Sequence, residues 1–153
     1  MSTIPSIAGS RAARRAARRP QVQHLITADE HSLVDLELVL ATLPLCAVGR
    51  VFVEVPDAAH IGRISAPPRM TVTWLCRAGR GNARHATGEV LTRAAVAWAD
   101  EMLCDDPHER LRTEVTLLGG WLSTADISER LTEVHAVPAS DIHAPARYGL
   151  SLD

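Results

Sequence analysis

The sequence predicts a three-layer α/β domain built on a mostly parallel five-stranded sheet, with a basic arm outside it. Short apolar runs alternate along the chain with segments of helical periodicity, which is typical of right-handed βαβ crossovers. The apolar runs are nearly continuous, as expected for strands that helices cover on both faces. At 153 residues, the chain has the length of one domain with a single substantial core. We therefore divide it into an arm at residues 1–21 and a domain at residues 22–153.

The amino-terminal arm is rich in arginine and alanine. Ser10 is a candidate cap for a short helix that ends before Pro20, and the arginines of this helix would share one face. They are Arg11, Arg14, Arg15, Arg18 and Arg19. The arm has a formal charge of +5, whereas the other 11 of the 16 arginines and all 18 acidic residues give the rest of the chain −7. Because alanine buries little area, we expect this helix to form on binding a partner, with pairing to the acidic domain as the alternative.

The first half of the domain is predicted to contain three strands and one helix. Asp29 is predicted to cap the helix, whose leucines recur at helical spacing until Pro44. Two β-branched runs follow, separated by a loop that closes with two prolines. In chain order, the elements are a strand at His24–Thr27, a helix carrying Leu33, Leu36, Leu40 and Leu43, and strands at Val51–Val55 and Met70–Cys76.

The second half is predicted to contain two helices and two strands. A Gly/Arg-rich loop at Arg77–His85 precedes a helix that Thr87 or Gly88 opens. Two glycines then separate the fourth strand from the last helix. The remaining elements are a strand at Val115–Leu118, a helix that Ser123 or Thr124 caps and that carries Ile127, Leu131 and Val134, and a short strand near Ile142.

Several classes of function receive no support from the sequence. The apolar runs are shorter than the ~20 residues of a membrane span, and export is not expected because the first residues contain no apolar core of the kind that a secretory signal needs. Three isolated cysteines and seven scattered histidines form neither a disulfide framework nor metal-ligand spacing, which indicates a reducing cytoplasm. With 3% aromatic residues and an acidic domain, specific nucleic-acid binding is not expected. We predict a cytoplasmic protein, either free or peripheral on a membrane-bound complex.

Three segments resemble, in the same order, the carboxyl-terminal half of bacterial siderophore-interacting proteins, a family of flavin- and NAD(P)H-dependent ferric-siderophore reductases. The segments are Leu25–Leu33, Arg50–Ala58 and Thr71–Arg77. The resemblance implies a ferredoxin-reductase-like nucleotide-binding domain with strand order 3-2-1-4-5. The flavin-binding barrel that precedes this domain in the family is not expected within the 153 residues. Since NAD(P)H donates two electrons and ferric iron accepts one, a flavin would have to come from a partner.

Arginines after the third strand are the first candidate cofactor-binding residues. In doubly wound sheets, ligands bind at the carboxyl ends of the strands. The resemblance implies that Arg77 contacts the adenosine ribose phosphate of NADPH, with Arg80 or Arg84 assisting. A guanidinium suits this role because it donates bidentate, charge-assisted hydrogen bonds to phosphate. The alternative is a solvated surface loop.

The other candidates follow the fourth strand and lie near the end of the chain. By resemblance, Gly119 and Gly120 lie in the family's turn after strand four, and Gly119 fits its motif. Tyr148 matches an aromatic residue that packs by the flavin and nicotinamide in the family, with surface packing as its alternative role. Trp121 replaces a small residue of the turn, and it would either stack on a nucleotide or pack against the sheet. Ala28 replaces the glycine of the family's acidic first turn.

These departures from the family motifs favour loss of catalysis. We therefore expect a non-catalytic or auxiliary module that docks on a larger redox complex with an acidic surface through its basic arm. No catalytic residue, metal ligand or firmly bound cofactor is predicted. The alternative is the NAD(P)H-binding component of a two-component ferric-siderophore reductase, with NADPH or NADH bound and flavin supplied by a partner flavoprotein. A third hypothesis is an adaptor whose arm binds acidic lipid.

Overall fold

Five strands alternate with three helices over residues 22–103 and 111–150, the part of the chain that the computed structural model describes. The strands are β1 (Val22–Asp29), β2 (Val48–Val55), β3 (Arg69–Cys76), β4 (Arg112–Leu117) and β5 (Ile142–His143). The helices are α1 (Leu33–Thr42), α2 (Glu89–Met102) and α3 (Trp121–Glu133). The strand order is β3-β2-β1-β4-β5, and every neighbouring pair is parallel. The predicted fold class and strand order are confirmed.

The parallel register brings the carboxyl ends of the strands to one edge of the sheet. Asp29 at the end of β1 lies opposite Glu54 on β2. On the other side of β1, Thr27 pairs with Leu117 at the end of β4. Ligands bind along this edge in open α/β sheets, so the two neighbouring carboxylates lie where a site is expected.

Helices cover both faces of the sheet, which gives the domain its three layers. α1 packs on one face through Leu36 and Leu40, against Ile26 of β1. α2 and α3 pack on the opposite face, against Leu25. Because successive residues of a strand point to opposite faces, both kinds of position are apolar, and this explains the continuous apolar runs of the sequence. Among the described residues, no helix has the length and apolar content that a membrane span requires.

A close approach of two strands determines the residue type at the start of β2. Gly49 pairs with His24 on β1, and a Cβ atom at Gly49 would lie 2.1 Å from the carbonyl oxygen of His24. This distance is far inside van der Waals contact, and the obstructing atom belongs to the backbone. Any side chain would therefore push the two strands apart, and the position requires glycine.

The prediction that Asp29 caps the first helix is wrong. α1 begins at Leu33, and Asp29 is the last residue of β1. Its Oδ1 accepts hydrogen bonds from the backbone N–H of His31 at 3.0 Å and from the hydroxyl of Ser32 at 3.1 Å. Aspartate commonly closes a turn by bonding to groups two or three residues ahead. The carboxylate therefore closes the turn between strand and helix.

The last helix begins earlier than predicted. α3 starts at Trp121 with Gly120 at its N-cap, so neither Ser123 nor Thr124 is the cap. The hydroxyl of Ser123 donates to the carbonyl of Gly120 at 3.0 Å, and that of Thr124 donates to the carbonyl of Gly119 at 3.3 Å. Short hydroxyl side chains can cap a helix or lie in its first turn and bond backward, and composition does not distinguish the two.

Candidate functional site

Three charged side chains form an ion network at the carboxyl edge of the sheet. Arg77 follows directly after β3. Its Nη1 donates to Glu54 Oε1 and to Glu30 Oε2, each at 3.0 Å, and its Nη2 donates to Glu30 Oε1. The side chain of Glu54 is fully buried, and those of Arg77 and Glu30 are 13% and 16% exposed. We call this network the Glu30–Arg77–Glu54 triad.

One residue of the triad, Glu54, also accepts hydrogen bonds from the amino terminus of α2. Gly88, one of the two residues predicted to open this helix, is its N-cap. Glu54 Oε1 accepts the N–H of Gly88 at 2.7 Å, and Oε2 accepts the N–H of Leu91 at 3.0 Å. The carboxylate thus satisfies two backbone donors at the positive end of the helix dipole. These two N–H groups are therefore not available to bind an external anion.

Hydrogen bonds within the triad favour its ionised form. Those from Arg77 lower the pKa of Glu30 below its usual value and outweigh burial, which raises it. Bonds to Glu30 and then to Glu54 raise the pKa of Arg77 against the opposing effect of burial. A fully buried carboxylate such as Glu54 would be costly without such partners.

A cleft of about 220 Å³ opens beside the triad, between the amino-terminal ends of α2 and α3. Its lining includes two carboxylates, Asp29 and Glu54, and apolar side chains from Leu91, Trp121 and Leu122. Asp29 is only 7% exposed, and its Oδ2 accepts no hydrogen bond from the described residues. This atom faces Gly120, 3.9 Å from where a Cβ atom would lie. We call this feature, with its open carboxylate oxygen, the Asp29 cleft.

The net charge around the Asp29 cleft is negative. Asp29 and the two triad glutamates contribute three negative charges, and Arg77 contributes one positive charge. The amino termini of α2 and α3 each add about +0.5, which leaves about −1 in total. A cation is therefore attracted to the cleft and a phosphate group is repelled.

The predicted nucleotide-binding arginines do not line this cleft. Arg77 lies in the triad, with its guanidinium held by two carboxylates. Arg80 and Arg84 are exposed in the following loop, where an antiparallel bridge joins Ala78 to Arg84. All three lie outside the lining of the Asp29 cleft. Their role in NADPH binding stays a prediction.

The other predicted cofactor-binding residues do meet at the start of α3. Tyr148 donates its hydroxyl to the carbonyl of Gly119 at 2.7 Å, and Trp121 donates its indole N–H to the carbonyl of Tyr148 at 3.2 Å. Gly120 lines the Asp29 cleft. Cofactor binding by these residues stays a prediction, and the five arm arginines lie outside the described residues.

Sequence reasoning identified the acidic first turn, which contains Asp29 and Glu30, but it missed the buried carboxylate of Glu54. It assigned no role to Glu54 and treated Asp29 as a helix cap. A signal for Glu54 was available, because a carboxylate within the buried apolar run Val51–Val55 needs a partner. No comparable signal marks the open oxygen of Asp29, since its direction depends on the turn after β1 and on the position of Gly120.

We expect Glu30→Gln to flatten the acid side of the pH–stability profile. The pKa of Glu30 in the folded chain lies below the unfolded value of 4.5, so the unfolded chain binds the proton first as the pH falls. The stabilisation is complete above the unfolded pKa and is lost as the pH falls through the folded pKa. Urea unfolding from about pH 7 to about pH 3 should therefore show a shallower loss in the variant. Glu37→Gln, on an exposed residue of α1, is the control, and equal slopes in both variants would contradict the assignment.

Solved structures share this fold. A siderophore utilization protein from T. fusca matches with a TM-score of 0.61 and 26% identity over 82% of this chain. Two siderophore-interacting proteins, SipS from Aeromonas hydrophila and one from Acinetobacter baumannii, each match with a TM-score of 0.59, at 13% and 12% identity over 82% and 84% of this chain. The matches cover 44%, 50% and 46% of those three chains, so this chain spans about half of their length. No curated protein matches the chain.

The sequence pattern of siderophore-interacting proteins matches residues 21–117. This range is more than half of the 153 residues and runs from β1 to the end of β4. It includes Asp29 and all three residues of the triad. The chain belongs to the siderophore-interacting protein family.

Proposed function

We propose that this chain is an auxiliary, non-catalytic module that docks on a larger redox complex through its basic arm. The observation that carries the proposal is the chemistry at the carboxyl edge of the sheet. Arg77, which the resemblance assigns to the phosphate of NADPH, is held there by the carboxylates of Glu30 and Glu54. A docking role needs no bound nucleotide and is compatible with such an edge.

The Asp29 cleft is poorly suited to the pyrophosphate of NAD(P)H. A pyrophosphate carries about two negative charges and commonly binds at a helix amino terminus. At α2, the Glu54 carboxylate already accepts the N–H groups of Gly88 and Leu91. The guanidinium of Arg77 is engaged by two carboxylates and would have to leave at least one of them to bind phosphate. These contacts favour a role without nucleotide turnover.

The arm provides the contact with the partner in this proposal. It carries +5, next to a remainder of −7. Exposed ion pairs contribute only about 0–1 kcal/mol each, whereas ordering the backbone costs about 1–2 kcal/mol per residue. Pairing of the arm with its own domain therefore offsets little of this cost. An acidic groove on a larger partner adds buried contacts, and the redox role that the family resemblance implies makes an oxidoreductase, such as a flavoprotein, the proposed partner.

Deleting residues 1–20 should abolish retention of the partner and leave the melting temperature of the domain nearly unchanged. Affinity capture compares the full chain, the deletion, and a variant with glutamine at all five arm arginines. Retained proteins are identified by mass spectrometry, purified, and recombined with the chain on a sizing column. The control replaces Arg63 and Arg69, two exposed arginines of the domain, by glutamine and should keep the partner.

Two results would change the assignment. A deletion that destabilises the isolated domain by several kilocalories per mole would place the arm within the domain's own fold, and the docking proposal would fail. Saturable NADPH binding that is about 10- to 150-fold weaker in Arg77→Ala, measured where circular dichroism shows the variant to be folded, would favour the alternative, the NAD(P)H-binding component of a two-component reductase.

A further inference from the structure

We propose that the Asp29 cleft binds the guanidinium group of an arginine side chain. The site lies within the domain and does not depend on docking through the arm, so it goes beyond the proposed function. It rests on one carboxylate oxygen, the size of the cleft and the side chains that line it.

The open atom of the cleft is Asp29 Oδ2. More than nine-tenths of Asp29 is removed from solvent, while Oδ2 accepts no hydrogen bond from residues 22–103 and 111–150. The other carboxylate of the cleft is already engaged, because Glu54 accepts hydrogen bonds from Arg77, Gly88 and Leu91. Oδ2 is therefore the carboxylate oxygen of the cleft that is open to a ligand, and a cationic donor would form a charge-assisted hydrogen bond with it.

The lining of the cleft suits a flat cation on an apolar stem. Trp121 is 50% exposed, which leaves its indole accessible for stacking, and Leu91 and Leu122 offer apolar surface. A guanidinium stacks on aromatic faces and is more weakly hydrated than an ammonium, and the methylene groups of arginine pack on apolar walls. A metal ion would need several oxygen ligands, whereas the cleft offers one free carboxylate oxygen.

The size of the cleft agrees with a side chain as the ligand. Its volume of about 220 Å³ is smaller than the roughly 300–1,000 Å³ of pockets for drug-sized molecules. The net charge of about −1 around it attracts a single cation. One arginine head group therefore fits the cleft in charge, shape and volume.

Two sources can supply the guanidinium, namely another protein or this chain's own arm. The arm joins β1 at Val22, at the opposite end of the strand from Asp29. The eight residues of β1 span about 26 Å. From Arg11 to Val22 the extended chain reaches about 36 Å, which is enough to return to the cleft. The chemistry of the site is the same in both cases.

The test titrates the full chain with two short peptides, acetyl-Ala-Arg-Ala-amide and its citrulline analogue, which has a similar shape and no charge. Calorimetry gives the affinity. The indole N–H resonance of Trp121 reports the location, with Trp74 and Trp98 as internal references. We expect saturable binding of the arginine peptide, a shift of the Trp121 resonance, and at least about tenfold weaker binding of the citrulline peptide.

Three variants locate the site. Asp29→Asn removes the charge but keeps the Oδ1 acceptor that closes the turn after β1, and it should weaken binding at least about tenfold. Asp35→Asn changes an exposed carboxylate on α1 that lies outside the cleft, and it should alter the affinity less than about twofold. Trp121→Ala changes an exposed residue and should also weaken binding, through lost stacking.

Equal binding of the two peptides would overturn the proposal. So would equal losses in Asp29→Asn and Asp35→Asn, or the lack of a saturable shift at Trp121. The source is identified by repeating the titration with glutamine at all five arm arginines. Tighter peptide binding in that variant shows that the arm competes for the cleft, and unchanged affinity assigns the natural ligand to another protein; either result supports the site.

Discussion

Arg77→Met should destabilise the domain by about 3–5 kcal/mol, because it breaks a buried ion pair by removing one partner. The fully buried side chain of Glu54 would lose its cationic partner, and Glu30 would lose its partner as well. The two N–H groups at the start of α2 cannot replace that charge. For a domain of this size, the melting temperature should fall by about 6–20 °C. Thermal and urea unfolding followed by circular dichroism measure the loss.

Arg84→Met is the matched control for this prediction. Arg84 is exposed in the loop after the triad, so its replacement should change the free energy of unfolding by less than about 0.5 kcal/mol. Adding Glu54→Gln to Arg77→Met should restore part of the stability, because a neutral amide needs no counterion. Similar, small losses in Arg77→Met and Arg84→Met would contradict the structural role of the triad.

Gly49→Ala should destabilise the domain by about 3 kcal/mol, at the upper end of the usual range for overpacking. The added methyl group would lie 2.1 Å from the carbonyl oxygen of His24, and a backbone atom held in the sheet cannot rotate away. β1 and β2 would have to separate at this point. The change in free energy is read from the urea midpoint and the melting temperature.

Gly62→Ala is the control for the backbone effect of replacing glycine. A Cβ atom at Gly62 would lie 3.9 Å from the indole of Trp74, which is ordinary van der Waals contact. We expect a change of about 0.5 kcal/mol or less, or a small gain from the lower entropy of the unfolded chain. Gly49→Ala and Gly62→Ala variants of equal stability would show that the two strands accommodate the methyl group.

The architecture could be predicted because burial on both faces of the sheet makes the strand sequences continuously apolar. In β1, Leu25 contributes to the core under α2 and α3 while Ile26 contributes to the core under α1, so the apolar run is continuous. The first residues of the helices were predicted less accurately than the strands. The side chains of Asp29 and Ser123 both form hydrogen bonds with nearby backbone groups. The sequence does not show whether the backbone partner precedes or follows the residue in the chain.

The site was less predictable, because its partners are distant in sequence. Glu54 and Glu30 are 23 and 47 residues from Arg77, and only the parallel register brings them together. The resemblance assigned Arg77 to a phosphate, and a guanidinium makes the same forked bonds to phosphate and to carboxylate. Residue type alone therefore cannot separate a nucleotide ligand from an internal counterion.

The central position of β1 has a consequence for the synthesis of the chain. β1 pairs with β2 on one side, but its other neighbour, β4, comes much later; the side chain of Gln23 bonds to Thr113, 90 residues away. At about 5–20 residues per second, the ribosome needs about 5–18 s to make that stretch. During this time one side of β1 has unpaired backbone groups beside apolar side chains, the arrangement that promotes association between chains. The interval before β4 emerges is therefore the one in which we expect the nascent chain to be most prone to association.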